Sequence, residues 1–477
     1  MQTIWNQKIR WMVRALFFCV LVGMAPARAA EAGKDSGRRM NVVFMLVDDL
    51  GWTDLGCFGS SYYETPHVDR LAAEGMRFTN AYAACTVCSP TRASVLTGQY
   101  PARLHITDWI AGHKRPHAKL RVPDWTMYLG TEIPNLARVL KGAGYATASV
   151  GKWHLGGEEY GPEKQGFDVN IAGSHRGQPP SYFSPYRMES LEDGPKGEFL
   201  SDRLTAEAVR FIEENKNRPF FLYFAHYAVH TPVMAKASAI ERYKTKTDPR
   251  GVHKNPAYAG LIESVDESVG RVRAKLEELG LSENTLFVFT SDNGGLMGVT
   301  RNDPLRVGKG SAYDGGVRVP LIVRWPGVTQ GGSQAETPVM SADYVPTILE
   351  AAGVSWAPGG VLDGVSLKPA LQGRASLGRD AIYWHYPHYH PGGATPHGAV
   401  REGDFRLVEF YEDQHVELYN LREDISETRN LALEHPAKAE ALRAKLEAWR
   451  RSVGAQMPTP NPDHDPEKDR LPSNRKK

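Results

Sequence analysis

Hydrophobic residues gather in short blocks separated by turn residues, and the spacing inside the blocks changes along the chain. Residues 41–47, 146–150, 219–225, 286–290 and 319–323 are runs rich in Val, Phe, Leu or Ile. Apolar runs of that length without polar alternation predict strands covered on both faces. Between the third and the fourth, Leu261, Val265, Val269, Val272, Leu276 and Leu279 recur three or four residues apart, giving one apolar face of a long helix that stops at Gly280. Such runs alternating with helical patterns predict an α/β domain at 38–373, with a large mixed, mostly parallel sheet between helices. After about Gly373 the pattern changes to aromatic, polar and charged strands at 381–386, 404–411 and 416–419, followed by a helix at 436–453. This predicts a smaller C-terminal α+β subdomain at 374–457 with an antiparallel sheet. Residues 458–477, rich in Pro, Asp, Lys and Arg, read as a disordered tail.

The N-terminus has a different pattern. Lys8, Arg10 and Arg14 precede an apolar run at 15–24, and Ala27-Arg28-Ala29 is a small-residue cleavage site. That order predicts a signal peptide at 1–29, cut before Ala30, and an exported chain, periplasmic or secreted. The apolar run is too short for a membrane helix, which needs about 20 residues. With 57 Lys+Arg against 55 Asp+Glu, the net charge of +2 gives no field for nucleic acid or an anionic membrane, so anion recognition has to be local. Removing the signal leaves Cys57, Cys85 and Cys88, an odd number, so one thiol is free, shared between chains or chemically altered.

Two of the strands run directly into acidic residues: 41–47 into Asp48-Asp49, and 286–290 into Ser291-Asp292-Asn293-Gly294-Gly295. Carboxyl ends of strands are where open α/β sheets place their ligands. Three carboxylates and an amide oxygen suit Ca²⁺ or Mg²⁺, although each pair alone also suits a turn or a helix cap. Around residue 88, Cys85-Thr86-Val87-Cys88-Ser89-Pro90-Thr91-Arg92 leads into a short helix stopped by Gly98, which puts Cys88 at a helix N-terminus, where an anion is favoured.

Cys88-Ser89-Pro90-Thr91-Arg92 followed by Leu96-Thr97-Gly98 resembles the maturation motif of the type I sulfatases, whose first cysteine is oxidised to formylglycine. The likeness extends to Asp48-Asp49-Leu50-Gly51, Gly151-Lys152-Trp153-His154-Leu155-Gly156, His226-Tyr227-Ala228-Val229-His230-Thr231-Pro232, Ser291-Asp292-Asn293-Gly294-Gly295 and Glu417-Leu418-Tyr419-Asn420-Leu421. The resemblance implies an alkaline-phosphatase-like sandwich and a formylglycine-generating or radical maturation enzyme acting on the unfolded chain. It implies that Asp48, Asp49, Asp292, Asn293 and the converted Cys88 bind Ca²⁺, with Arg92 reaching back to them. One hydroxyl of the hydrated aldehyde attacks sulfur to give a sulfo-enzyme, and the other expels sulfate. Lys152 is then a sulfate clamp, and His154 is the base that triggers the elimination. His226 and Lys309 bind sulfate and protonate the leaving oxygen, the choice of acid between them staying open. Ser174 is a further sulfate contact.

For the substrate, the run Tyr383-Trp384-His385-Tyr386-Pro387-His388-Tyr389-His390 offers aromatic faces and imidazoles for a sugar, with His385, His388 and His390 as contacts. The same run also suits a packed segment between domains. The resemblance points to galactose or N-acetylgalactosamine sulfates of glycosaminoglycans or algal galactans. A phosphonate or phosphate ester hydrolase of the same superfamily, a non-catalytic glycan-binding relative, a thiol-redox protein using Cys85 and Cys88, and a Cys57–Cys85 disulfide are the alternatives.

Overall fold

The computed structural model describes residues 39–374 and 376–469. The expected signal peptide therefore lies outside the described residues. The main sheet contains β1 (Asn41–Val47), β2 (Met76–Phe78), β3 (Ala146–Gly151), β4 (Val169–Ile171), β5 (Phe220–Ala225), β6 (Thr285–Ser291), β7 (Leu321–Arg324) and β8 (Ser333–Ala335). Their order is β8-β2-β7-β6-β1-β5-β3-β4. All neighbours are parallel except β7, which runs antiparallel to both β6 and β2. The sheet is thus mixed and mostly parallel, as its unbroken apolar runs predict.

Alternate residues of β1 enter separate cores: Val43, Met45 and Val47 pack on one face, and Val42, Phe44 and Leu46 on the other. The first face is covered by the helices Leu200–Glu214 and Pro256–Glu278, the second by Cys88–Thr97 and Tyr344–Ala352. The long helix starts where the side chain of Asn255 accepts the Tyr258 N–H and Pro256 fills the first turn, and it is followed by Gly280 at φ 66°.

The antiparallel sheet that follows has four strands, β9 (Ala381–Tyr386), β10 (His397–Glu402), β11 (Phe405–Phe410) and β12 (Val416–Asn420), backed by the helix Pro436–Ser452. β10 leaves no clear mark in the sequence, because His397-Gly398-Ala399-Val400-Arg401-Glu402 has neither an apolar run nor a clean alternation. The disordered tail needs correction over residues 458–469. Thr459–Pro460 pairs antiparallel with Leu120–Arg121, Asn461 donates to the carbonyls of Pro116 and Ala118, and Asp469 meets Arg115 at 2.7 Å. Composition suggests disorder, but partners on the 115–121 loop order the segment.

Candidate active site

Four strands of the main sheet deliver functional side chains at their carboxyl ends. Asp48 and Asp49 follow β1, Asp292 and Asn293 follow β6, Lys152 and His154 follow β3, and His230 lies on the turn after β5. The backbone is strained where it turns in: Asp49 has φ 62° and His154 has φ 58°. Gly151 lets the chain make that turn. A Cβ there would lie 1.9 Å from the Ala225 carbonyl oxygen, and its φ is 100°.

Three carboxylates and three cations interlock in the buried centre. Arg92 donates to Asp292 Oδ2 from Nε (2.9 Å) and Nη2 (2.7 Å), to the Lys152 carbonyl (3.1 Å), and lies 3.6 Å from Asp48. Lys152 Nζ meets Asp48 Oδ2 at 2.8 Å, and Lys309 Nζ meets Asp49 Oδ1 at 2.6 Å. Burial alone would raise the pKa of Asp49, but Lys309, His230 and Lys152 pull it below the usual carboxylate range. Asp292 is likewise lowered, burial being outweighed chiefly by Arg92. Asp48 ends up raised, because burial dominates over Lys152.

Three buried oxygens in this cluster, Asp48 Oδ1, Asp49 Oδ2 and Asn293 Oδ1, have no hydrogen-bond partner among the described residues. Asp48, Asp49 and His230 each offer a ligand atom within 4.8 Å of the others. Orphaned hard oxygens between carboxylates fit a divalent cation of the Ca²⁺ or Mg²⁺ type, which satisfies them directly.

Cys88 is the first residue of its helix, and its Sγ lies 3.3 Å from His154 Nδ1. His154 Nε2 faces the Ile110 carbonyl, so the ring proton belongs there, and Nδ1 presents a lone pair to Cys88. Burial and Lys152 push the pKa of His154 well below its ordinary value, which keeps that lone pair free. The Ser174 carbonyl accepts the His154 N–H at 3.0 Å, and Ser89 Oγ donates to the His154 carbonyl at 2.9 Å. Ser174 therefore holds the His154 loop through its backbone.

Two residues singled out in the sequence require correction. His226 is fully buried, its ring 4.3 Å from that of Phe224, both nitrogens unpartnered, and burial alone lowers its pKa to about 3. In its place the structure brings in His230, whose Nε2 lies 3.6 Å from Asp49 Oδ2. His226 directly follows β5 and continues the phase of Phe220, Leu222 and Phe224, which point into the core on one face of the sheet, whereas His230 lies past a turn, its N–H on the Tyr227 carbonyl, that breaks the alternation. His385 is the second. Its Nδ1 pairs with Tyr411 Oη at 2.8 Å and its Nε2 with the Gln456 carbonyl at 2.9 Å, so neither nitrogen is free for a ligand.

His388 pairs with Thr107 Oγ1 at 2.8 Å and packs its ring against Trp125. His390 does border the site, since a Cβ on Gly310, next to Lys309, would come within 2.1 Å of its ring. Asp108, which no motif marks, is buried with Oδ1 accepting from Tyr386 Oη and the Trp109 N–H. Burial lifts its pKa to about 8.

Cys57, Cys85 and Cys88 are all free thiols, so the Cys57–Cys85 disulfide is not formed. Burial pushes the Cys85 thiol far up, and a thiol that resists ionisation suits neither exchange nor a redox pair with Cys88.

The buried neutral histidines give a stability prediction. His226, His385 and His388 each have a folded pKa of about 3. A folded pKa below the unfolded value of about 6.5 means stability that is complete above 6.5 and declines as pH falls toward 3, because only the unfolded chain takes up these protons. The melting temperature is expected to drop steadily from about pH 6.5 to about pH 4.5. A Tm that stays flat across that window contradicts the assignment.

The profile of the family described as Sulfatase matches residues 40–354, and that of the N-sulphoglucosamine sulphohydrolase C-terminal region matches residues 307–452. A Formosa agariphila protein named Sulfatase is 33% identical, the match covering 88% of this chain and 90% of that protein. The Mus musculus N-acetylgalactosamine-6-sulfatase is 34% identical over 72% of this chain and 68% of its own. Among solved structures, the protein titled Ps i-CgsB in complex with k-i-k-neocarrahexaose aligns with a TM-score of 0.74 at 28% identity, covering 91% of this chain and 98% of that one. The sandwich with its small second sheet is the alkaline-phosphatase-like fold that the motifs imply. The chain belongs to the sulfatase family and is a sulfuric ester hydrolase.

Proposed function

We propose that the chain is exported and removes sulfate from a sulfated saccharide, a galactose or N-acetylgalactosamine sulfate, using Cys88 in its formylglycine form. The observation that carries this reading is the placement of Cys88 Sγ at a helix N-terminus, 3.3 Å from a histidine lone pair, in a centre that also holds Arg92, Lys152 and Lys309. A sulfate ester needs an activated nucleophile, positive charge around its oxygens and an acid for the leaving alcohol. The saccharide is proposed from the named relatives and from the histidine His390 beside Lys309.

His154 Nδ1 is the acceptor for the proton of residue 88. Lys309, held protonated because Asp49 more than offsets its burial, and Lys152 contribute fixed positive charge toward sulfate. His230 replaces His226 as the group facing the leaving oxygen. Burial keeps it neutral with a pKa of about 3, and an anion arriving beside it raises that value and makes it a proton donor. Asp48, Asp49, Asp292 and Asn293 would hold Ca²⁺, which when bound adds charge stabilisation at a sulfate oxygen.

Mass spectrometry of the tryptic peptide 78–92 from the native host tests the nucleophile, and rates on galactose and N-acetylgalactosamine sulfates against 4-nitrophenyl phosphate test the reaction. An aldehyde or its hydrate at residue 88, together with faster release of sulfate than phosphate, is the expected result. Unmodified Cys88 in an active preparation overturns the nucleophile assignment, and a preference for the phosphate overturns the reaction.

His230 depends on Tyr182, whose hydroxyl donates to the carbonyls of Tyr227 (2.6 Å) and His230 (2.9 Å). Tyr182→Phe removes the one hydroxyl proton these two carbonyls share, a loss of about 1 kcal/mol, while the Tyr227 carbonyl keeps the His230 N–H at 3.0 Å. The expected result is a kcat loss that is larger for an alkyl sulfate than for 4-nitrophenyl sulfate, whose good leaving group needs no acid. Equal losses on both contradict the role given to His230.

A further inference from the structure

Four arginines of the described chain are buried: Arg92, Arg318, Arg401 and Arg406. Three are matched by carboxylates. Arg92 pairs with Asp292, Arg318 lies 3.4 Å from Asp314, and Arg406 pairs with Glu427 at 2.7 Å. Arg401 has no carboxylate partner among the described residues. Its Nε donates to the Gly403 carbonyl at 3.1 Å and its Nη1 to Asn80 Oδ1 at 3.3 Å and to Tyr82 Oη, all neutral groups. On the adjacent strand its direct cross-strand neighbour is Arg406, so two like charges oppose each other. A buried charge without a counter-ion is costly, and a facing cation adds to the cost.

Arg401 borders a cavity of about 710 Å³ between the β8–β2 edge of the main sheet and the C-terminal sheet. Arg318, Arg374 and Arg422 also line it, against two acidic residues, Glu336 and Asp404. Asp404 is taken up by Arg422 through contacts of 2.8 and 3.1 Å. Arg374 is exposed, its Nη2 donating to Gln372 Oε1, and it pairs with no carboxylate among the described residues. The cavity thus has two guanidiniums without counter-ions, one buried and one at its mouth. None of the residues that hold Cys88 or the orphaned oxygens lines it.

We propose that this cavity is a second, non-catalytic site for a sulfate group of a saccharide chain, with Arg401 and Arg374 as its principal ligands. With Arg401 Nε and Nη1 already donating within the fold, its Nη2 and the guanidinium of exposed Arg374 are the donors left for an oxyanion, and a sulfate placed there supplies the charge that Arg401 lacks. The cavity opens at the end of β2, on the same edge of the sheet as the active site, because β2 runs in the same direction as β6 and β1. A chain bearing several sulfates can therefore be held at one residue while another is presented for hydrolysis. The inference rests on the reading that the substrate is a sulfated saccharide.

Calorimetric titration of the full chain with a chondroitin 6-sulfate hexasaccharide tests it, using the wild type, Arg401→Gln and Arg374→Glu. Arg374 is exposed, so its substitution does not depend on the fold tolerating a buried change. Two binding events are expected in the wild type, with the second weakened at least about tenfold in both variants, the value of one charge-assisted hydrogen bond. A single event that neither variant alters overturns the second site and leaves the proposed function intact. Absence of any saccharide binding overturns the second site, and the proposed function then stands or falls on the rates with galactose and N-acetylgalactosamine sulfates. Inorganic sulfate competing as well as the hexasaccharide on a molar basis shows a small-oxyanion site and overturns the saccharide assignment.

Discussion

Cys88→Ala is expected to reduce the hydrolysis of 4-nitrophenyl sulfate by about four orders of magnitude or more, the scale seen when a covalent nucleophile is removed. The side chain is small, almost completely buried, and packed at the start of a helix whose ten residues are all buried. Its polar contact is His154 Nδ1, and that histidine keeps its other nitrogen on the Ile110 carbonyl in the variant. The ion-pair centre built on Arg92, Lys152 and Lys309 is also untouched, so melting is expected to shift by only a few degrees, as for loss of one small buried group. Stability retained with catalysis lost separates a chemical role from a structural one. A variant that keeps more than about a hundredth of the wild-type kcat shows that residue 88 is not the nucleophile, because no neighbouring group offers comparable chemistry to replace it.

The histidines show which kinds of signal the sequence carries. Residues 41–47 are legible because an unbroken apolar run has one physical use, a strand covered on both faces, and the acidic residues that follow it must emerge at the sheet's carboxyl edge. The same reasoning locates Asp292 after β6 and Lys152 after β3. His226 is misread from its motif alone, because the motif holds two histidines of the same strand parity and only the turn closed by the His230 N–H on the Tyr227 carbonyl separates them. His226 shares the phase of Phe220, Leu222 and Phe224 on β5 and so faces the core, while the turn returns His230 to the site.

His385 is misread for a different reason. An imidazole on a buried strand looks the same in sequence whether its partner is a ligand or, as here, Tyr411 and the Gln456 carbonyl, both of which are distant in the chain. Long-range pairing also explains the ordered residues 459–469, whose composition gives no hint of the loop they bind.

Asp292→Ala is expected to destabilise the fold by about 3–5 kcal/mol, the cost of leaving one member of a buried ion pair uncompensated. Asp292 accepts two hydrogen bonds from Arg92 and one from the Asp49 N–H, so its loss frees both a guanidinium and the strained turn at Asp49. Arg92 then keeps only Asp48, at 3.6 Å, and the Lys152 carbonyl. Because Arg92 ties its helix to the ends of β1, β3 and β6, misplacing it moves Cys88 relative to Lys152 and His154, and hydrolysis should fall with stability. Asp292→Asn retains an oxygen for Arg92 but not the charge, and is expected to fall between the alanine variant and the wild type. The pH dependence has a definite sign. The folded pKa of Asp292 is lowered, so its stabilisation is complete above the unfolded carboxylate value and disappears as the carboxylate is protonated in acid. Urea unfolding of the three proteins at about pH 7.5, where the carboxylate is ionised in both states, measures the difference directly. If both variants lie within about 1 kcal/mol of the wild type, an ordinary surface effect, the Arg92–Asp292 pair does not organise the centre.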